Sequence, residues 1–368
     1  MSQNNYHFPD HIYIIGGGRW ARVYAKVLYD LVSSRVKISI HSKSNSENIS
    51  DWVVENKFDD KINVSEKWPI FNLKYSNTLI VVNAVKDHDK AVEWGMSSGI
   101  PVLVEKPMSL SFLSAKRFSI YAESNKIPFE CSNIFLFAKY FESFSEIVKN
   151  QNGIKKINFY WKDSKSENRY GEVKRFDPTL YLFSDCLPHI MPMINYLVGG
   201  VIPKKIEKME ILRGGAKLNL KFFINSIPCF LYLERNSKNR ERLIEIDADN
   251  KLELDFKIEP GIIKINDVIR TNDYKWEKSN FPLASMLKSF FNKISNYEND
   301  SRFDINICVD ICKLTEKLSK EYMQIQYSWL KNKLKNNSEF NECDDILYAI
   351  NELFQINDIK NSEYINKQ

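Results

Sequence analysis

One short stretch near the start of the chain constrains the fold more than any other: IYIIGGGRWARVYA, residues 12–25. Four apolar residues run directly into three glycines, and apolar residues at helical spacing follow without a linker. This order predicts a buried strand over residues 12–16 that turns at once into a helix over residues 19–33. The stretch fits either a tight structural turn or a backbone cradle for a phosphate-bearing ligand.

The next hundred residues continue the alternation of strand and helix. The run TLIVVNAV is continuously apolar, which is typical of a parallel strand covered on both faces. Strands are predicted at 36–42, 78–85 and 100–107, and helices at 47–57, 88–99 and, with a serine cap, 109–125. This alternation predicts a doubly wound parallel sheet, and we assign it to a domain of residues 1–130.

Beyond residue 130 the pattern changes to strands in succession, which predicts a large, mostly antiparallel sheet. The last of these strands is expected in GIIKINDVI, residues 261–269. Helices are expected at about 138–150, 178–198 and 283–333, and an amphipathic helix at about 344–355. We therefore predict an α/β domain over residues 131–335, for substrate binding and oligomerisation, and a C-terminal helical extension over 336–368.

Composition narrows the class of protein. The 368 residues carry a net charge of +5 that is spread along the chain, which gives no indication of a nucleic-acid partner. No apolar run approaches the roughly 18 residues of a membrane helix, and the polar N-terminus lacks a signal-peptide core. The six cysteines form no CxxC pair and fit reduced thiols rather than a disulfide framework or a metal site. The sequence thus predicts a cytoplasmic protein.

The glycine stretch has the spacing of a dinucleotide site. Gly16, Gly18 and Ala21 fill the pattern G-x-G-x-x-[G/A], in which small residues let the backbone approach a pyrophosphate. The preceding strand and the following helix supply the context that the pattern requires. We therefore predict that this turn binds a nicotinamide dinucleotide, with Arg19 and Trp20 at the start of the helix in contact with it.

The end of the second predicted strand indicates which dinucleotide. An acidic residue there bonds the ribose of NAD, whereas this chain reads HSKS from His41 to Ser44. A cation and hydroxyls suit a 2′-phosphate. We predict NADP(H), with Ser42 and Lys43 as phosphate ligands and Arg19 as a helper. A solvated turn that accepts NAD(H) is the alternative.

Two further stretches carry residues suited to chemistry. In VLVEKP, Glu105 and Lys106 follow a predicted parallel strand at its carboxyl end, where open α/β sheets bind ligands. Lys106 there can lie beside the nicotinamide and hydrogen-bond a substrate oxygen, or it is a plain surface charge. We therefore include Glu105 and Lys106 among the predicted cofactor-binding residues. The proline after Lys106 allows a cis peptide.

In SDCLPHIMPM, Asp185 and His189 stand four residues apart, so a helix places both on one face. The histidine can act as a general acid or base near neutral pH. A capping aspartate beside a core histidine is the alternative.

In this order the motifs resemble those of the Gfo/Idh/MocA family of nicotinamide-dependent oxidoreductases, over about residues 10–330. His88 falls on a histidine of the family's cofactor-binding region, Glu105-Lys106-Pro107 on its Glu-Lys-Pro motif, and Asp185 and His189 on its D-x-x-x-H motif. The resemblance implies an N-terminal Rossmann domain and a C-terminal α/β domain. It also implies that His189 moves a hydroxyl proton and Lys106 polarises the oxygen, without a metal. Asp185 would orient or charge-balance that group, or contact the substrate.

The resemblance implies an NADP(H)-dependent oxidoreductase that acts on a sugar, sugar nucleotide, cyclitol or similar small molecule. An NAD-dependent glycosidase of the same family and a cofactor-binding sensor or partner subunit without turnover are the alternatives. A homodimer or homotetramer is expected through an apolar, uncovered face of the C-terminal sheet. The chain departs from the family pattern near the expected substrate, at TLYLFSD before the D-x-x-x-H motif, at Pro192 and at IFLF after residue 133.

Overall fold

A computed structural model of the protein describes residues 8–165, 168–169, 172–173, 177, 180–270, 276–335 and 343–354. The chain divides into two compact units, each made of non-contiguous segments. The first unit takes the described residues of 1–150, 188–202 and 271–313, and the second takes those of 151–187, 203–270 and 314–368. The contiguous division at residues 130 and 335 stays a prediction.

The first unit contains a six-stranded sheet in the order β3-β2-β1-β4-β5-β6, and all of its neighbouring strands are parallel. Its strands are β1 His11–Ile15, β2 Lys37–His41, β3 Ile62–Ser65, β4 Asn77–Val81, β5 Val102–Val104 and β6 Phe129–Cys131. The predicted doubly wound sheet is therefore confirmed. Because the strand order reverses between β1 and β4, the turns after these strands flank the crevice where such sheets bind ligands.

The helices follow the apolar periodicity of the sequence. Their bounds are α1 Arg19–Leu31, α2 Ser46–Glu55, α3 His88–Ser97, α4 Phe112–Asn125, α5 Lys139–Lys149, α6 Leu182–Val198, α7 Pro282–Asn296, α8 Ile305–Lys335 and α9 Cys343–Phe354. The predicted serine cap is Ser111, whose Oγ accepts a hydrogen bond of 3.3 Å from the Ser114 backbone N–H. No helix in the described part of the chain combines the length and apolar character that a membrane crossing requires.

The second unit contains an eight-stranded sheet in the order β10-β11-β12-β7-β13-β14-β15-β16. Only β7 and β12 pair in parallel, so the predicted mostly antiparallel sheet is confirmed. Its strands are β7 Lys156–Ser164, β10 Lys208–Leu212, β11 Lys217–Ile224, β12 Ile227–Ser237, β13 Glu241–Asp247, β14 Lys251–Asp255, β15 Ile262–Ile265 and β16 Val268–Arg270. A separate pair comprises β8 Asn168–Arg169 and β9 Glu172–Val173.

One face of this sheet is lined by half-buried side chains, and the prediction that it is apolar is wrong. The rings of Tyr160 and Tyr232 stack there at 4.8 Å between centroids. Glu245 accepts hydrogen bonds from the Tyr160 hydroxyl at 3.0 Å and from the Asn158 amide at 3.1 Å. Alternation fixes which residues share a face, but polar and aromatic residues occupy this one.

Other local predictions also need correction. The strands β3 and β6 are absent from the prediction, because their three or four residues include polar ones and lack the continuous apolar run that marks the equally short β5. The predicted helix at 283–333 is interrupted, since α7 ends at Asn296 and α8 starts at Ile305. The segment GIIKINDVI, predicted as one strand, forms the hairpin β15–β16 around Asn266 and Asp267, which both have positive φ.

Candidate active site

The glycine turn links β1 to α1 at the carboxyl edge of the parallel sheet. Gly16 has a φ of +153°, and an added Cβ would lie 2.7 Å from the Val82 carbonyl oxygen of the neighbouring chain segment. Gly18 occupies the N-cap of α1, and a Cβ added there would meet no atom of the chain within 4 Å. The N-terminus of α1 therefore faces open space, as a phosphate cradle requires.

The turn after β2 lies beside the glycine turn. Ser42 is buried, and its hydroxyl occupies the space that a side chain at residue 17 would need. Asn45 donates a side-chain hydrogen bond to the Gly17 carbonyl oxygen. Lys43 is exposed, and the Arg19 guanidinium lies 5.3 Å from the centre of the Trp20 ring. No acidic residue occupies positions 41–45, so nothing in this described turn repels a phosphate.

Glu105 follows β5 and is buried under the turns of the sheet edge. Its Oε1 accepts a hydrogen bond of 2.5 Å from the Tyr24 hydroxyl of α1, and its Oε2 accepts one of 3.2 Å from the Lys106 backbone N–H. The Tyr24 hydroxyl also lies 3.3 Å from the Ser132 Oγ, after β6. Burial raises the pKa of Glu105, and the hydrogen bonds oppose this shift. Glu105 thus ties the helix of the glycine turn to the segment that carries Lys106.

His88 begins α3 and is almost completely buried. Its Nδ1 lies 3.0 Å from the Pro107 carbonyl oxygen, and its Nε2 lies 3.1 Å from the Asn83 carbonyl oxygen. Burial lowers the pKa of His88. The Lys106–Pro107 peptide is cis. His88 therefore supports the backbone that carries Lys106, and its contact with a cofactor stays a prediction.

His189 belongs to the same unit as Lys106 and the glycine turn. Its ring packs edge-on against Phe135 at 5.1 Å between centroids, with the planes at 82°. Phe135 lies in the short 3₁₀ helix Ile134–Phe137, which comes after β6. Lys106 comes after β5, the strand next to β6 in the sheet. The contact places the imidazole at the carboxyl edge of the parallel sheet. The segment IFLF, where the sequence departs from the family pattern, thus supplies an aromatic ring that packs against His189.

Helix α6 presents Asp185 and His189 along one stripe. From Leu182 to Ile194 these are the only residues of this fully described segment that are not buried. Asp185 is the fourth residue of the helix, so it does not occupy the capping position of the alternative interpretation. The helix also contains Pro188 and Pro192.

Asp185 lies in the second unit, where a buried cation faces it. Its Oδ2 is 3.5 Å from Nη2 of Arg235, whose side chain is only 1% exposed, whereas the side chain of Asp185 is 24% exposed. Nearby acidic groups and Tyr348 keep the pKa of Arg235 above its usual value despite burial. The arginine therefore remains charged where it faces the Asp185 carboxylate.

No protein-family model matches the chain, and no curated protein matches its sequence. Solved structures do match. UDP-N-acetylglucosamine 3-dehydrogenase GnnA from Acidithiobacillus ferrooxidans aligns with a TM-score of 0.66 at 14% identity, over 83% of this chain and 94% of that one. A Gfo/Idh/MocA family oxidoreductase from Vibrio cholerae aligns with a TM-score of 0.66 at 14% identity, over 85% and 98%. The chain has the Gfo/Idh/MocA fold.

A third match with this fold was solved with ligands. A mutant of KijD10, a 3-ketoreductase from Actinomadura kijaniata, in complex with TDP-benzene and NADP, aligns with a TM-score of 0.64 at 12% identity, over 84% of this chain and 96% of that one. The fold that the sequence motifs implied is thereby confirmed.

Sequence reasoning missed four residues that make these contacts within each unit. Tyr24, Ser132 and Asn45 hold the turns of the parallel sheet in place, and Arg235 faces Asp185. Tyr24 could have been found from the sequence, because a tyrosine on the buried face of a helix needs a hydrogen-bond partner for its hydroxyl. Arg235 could also have been found, since it follows Cys229, Leu231 and Leu233 in the alternation of inward-facing residues along β12. A buried arginine needs an acidic partner.

Proposed function

We propose that this protein is an NADP(H)-dependent oxidoreductase that reduces or oxidises a carbon bearing a keto or hydroxyl group in a sugar, a sugar nucleotide or a cyclitol-like molecule. One observation carries the proposal. Lys106 follows β5, and His189 contacts Phe135 in the segment after the neighbouring β6. Both strands end at the sheet edge that also bears the glycine turn. A dinucleotide cradle and two proton-carrying side chains at one edge suit hydride transfer better than simple binding.

The residues divide the work by their chemistry. Lys106 donates a hydrogen bond to the substrate oxygen and stabilises the charge that develops on it. His189 transfers the hydroxyl proton, and its partly exposed ring on α6 allows a substrate to reach it. Asp185, one turn earlier on the helix and paired with Arg235, orients the group that exchanges the proton. A bound nicotinamide supplies or accepts the hydride.

NADP(H) is the proposed cofactor because the turn after β2 has no acidic residue and offers the exposed Lys43. Fluorescence titration with NADPH and NADH tests this choice. We expect NADPH to bind at least about tenfold more tightly, a difference of about 1.4 kcal/mol. Lys43→Glu should reverse the order, and Lys90→Glu, an exposed site on α3, should leave it unchanged. Equal affinities of the unmodified protein would contradict the phosphate site.

Turnover is tested by incubating the protein with NADPH or NADP⁺ and a panel of sugar nucleotides and keto-sugars. We expect a change in nicotinamide absorbance with at least one compound. Lys106→Ala should abolish it while NADPH binding persists, and Lys90→Ala should behave as the unmodified protein. Product without a net absorbance change would instead indicate the glycosidase chemistry. NADPH binding without any product across the panel would favour the sensor.

We also propose that two or four copies associate through the half-buried face of the second unit's sheet, where Tyr160 and Tyr232 stack. Light scattering after size exclusion measures the number of copies. Tyr232→Glu should shift the protein towards the monomer, because it sets a charge against Glu245 of the same face and removes the stacking ring. A mass unchanged by this substitution would refute the proposed interface.

A further inference from the structure

Helix α9 is fastened to the second unit by buried polar side chains. Glu352 is 3% exposed, and its Oε1 accepts a hydrogen bond of 2.8 Å from the Tyr348 hydroxyl one turn earlier. Its Oε2 accepts one of 2.8 Å from the Gln326 amide of α8 and another from the Tyr322 hydroxyl. A buried carboxylate with this many donors fixes the helix in one position, because any shift leaves polar atoms without partners.

A glycine pair receives the same helix. Gly214 and Gly215 form the turn between β10 and β11, both with positive φ. A Cβ at Gly214 would collide with the Asp345 carbonyl of α9 and lie 3.2 Å from the Ala349 Cβ. A Cβ at Gly215 would lie 2.9 Å from the Glu352 Oε2. Because side chains at these two positions would collide with α9, the turn has room for the helix only with glycine at both. The turn is therefore shaped to pack against α9.

The polar network of α9 continues to the aspartate of the D-x-x-x-H motif. Nη1 of Arg235 donates to the Tyr348 hydroxyl at 3.2 Å and to the Leu180 carbonyl at 2.8 Å, and it lies 3.7 Å from the Glu352 Oε1. Nη2 of the same guanidinium faces Asp185. One buried cation thus stands between an acid on α9 and the acid on α6. Because the guanidinium is planar and rigid, holding one edge fixes where the other edge points.

We propose that α9 is a positioning element for Asp185: Tyr348 and Glu352 hold the Arg235 guanidinium, and the guanidinium holds the carboxylate. This inference rests on the function proposed above, in which Asp185 orients the proton-exchanging group. Without the α9 contacts Arg235 keeps its charge but loses two of the partners that set its plane. A carboxylate displaced by about 1 Å costs roughly tenfold to a hundredfold in rate, since catalysis depends on orientation.

Two substitutions test the proposal in the full-length protein. Tyr348→Phe removes the hydroxyl shared by Arg235 and Glu352, and Glu352→Gln removes the charge while it keeps the size. Asp345→Asn is the control, because it removes only the partly exposed Arg213–Asp345 pair, at 3.4 Å on the same helix. Circular dichroism identifies any variant that fails to fold, and the other variant then carries the test.

The readouts are kcat, the NADPH dissociation constant and hydrogen–deuterium exchange over residues 180–187. We expect both variants to lower kcat about tenfold or more, leave NADPH binding within twofold and speed exchange in this segment, with no change in the control. Unchanged kcat overturns the positioning role, and unchanged exchange overturns the contact. If the unmodified protein turns over no compound, the proposed function has failed, and exchange alone decides whether α9 holds the Asp185 segment.

Discussion

Alanine substitutions at the three glycines of the glycine turn can distinguish effects on stability from effects on cofactor binding, because different atoms surround each glycine. Gly16 is limited by its φ of +153° and by the Val82 carbonyl, 2.7 Å from an added Cβ. Gly17 is limited by the hydroxyl and Cβ of Ser42, with the latter 2.9 Å from an added Cβ. Gly18 is limited by no atom of the chain within 4 Å. Any need for glycine at residue 18 must therefore come from the bound molecule.

The expected costs follow from these contacts. Gly16→Ala combines an unfavourable φ with a collision against rigid backbone, each worth about 1–3 kcal/mol, so the free energy of unfolding should fall by about 3 kcal/mol or more. Gly17→Ala should lose about 1–3 kcal/mol, and Ser42→Gly in the same chain should restore most of it. Gly18→Ala should change stability by less than about 1 kcal/mol, because alanine is only a poorer N-cap than glycine.

Binding should follow a different order. Gly18→Ala is expected to weaken NADPH binding at least about tenfold, since its methyl group enters the space in front of the α1 N-terminus. Urea unfolding followed by tryptophan fluorescence gives the stabilities, and fluorescence titration gives the affinities. The reasoning is refuted if Gly18→Ala destabilises as much as Gly16→Ala, or binds NADPH as the unmodified protein does. Additivity of the Gly17 and Ser42 substitutions within about 0.5 kcal/mol would refute the packing between them.

Three further predictions concern stability, each measured by urea unfolding. Ser111→Ala should cost about 1 kcal/mol by removing the cap of α4, whereas an unchanged midpoint would speak against the cap. Asp163→Asn should cost about 3–5 kcal/mol, because it leaves the buried Arg242 without its carboxylate; a loss below about 1 kcal/mol would contradict this. Burial raises the pKa of Glu130 to about 7 beside Lys293. The folded state therefore favours the protonated form, and its stabilising effect is full below pH 4.5 and is lost as the pH rises through about 7. Relative to Glu130→Gln, the unmodified protein should lose roughly 3 kcal/mol over this range, and parallel pH profiles would disprove the assignment.

Much of the parallel sheet could be predicted because its signals are local. The run before Gly16 and the spacing of apolar residues after it identify β1 and α1, and the cap at Ser111 marks the start of α4. Side-chain period and end signals belong to neighbouring residues, so they can be read without knowing what packs against them. The short strands β3 and β6 escaped because neighbouring strands, rather than their own few residues, make them strands.

The sequence by itself determined which residue types stand at the strand ends: glycines after β1, no acid after β2, Lys106 after β5, and Asp185 and His189 on one helix face. Only the tertiary structure decided their surroundings. It set Ser42 under residue 17, Phe135 against His189, and Arg235 between Asp185 and the helix near the chain's end. These contacts join residues tens to more than a hundred positions apart, and no local periodicity encodes which distant side chain fills a given space or balances a given charge.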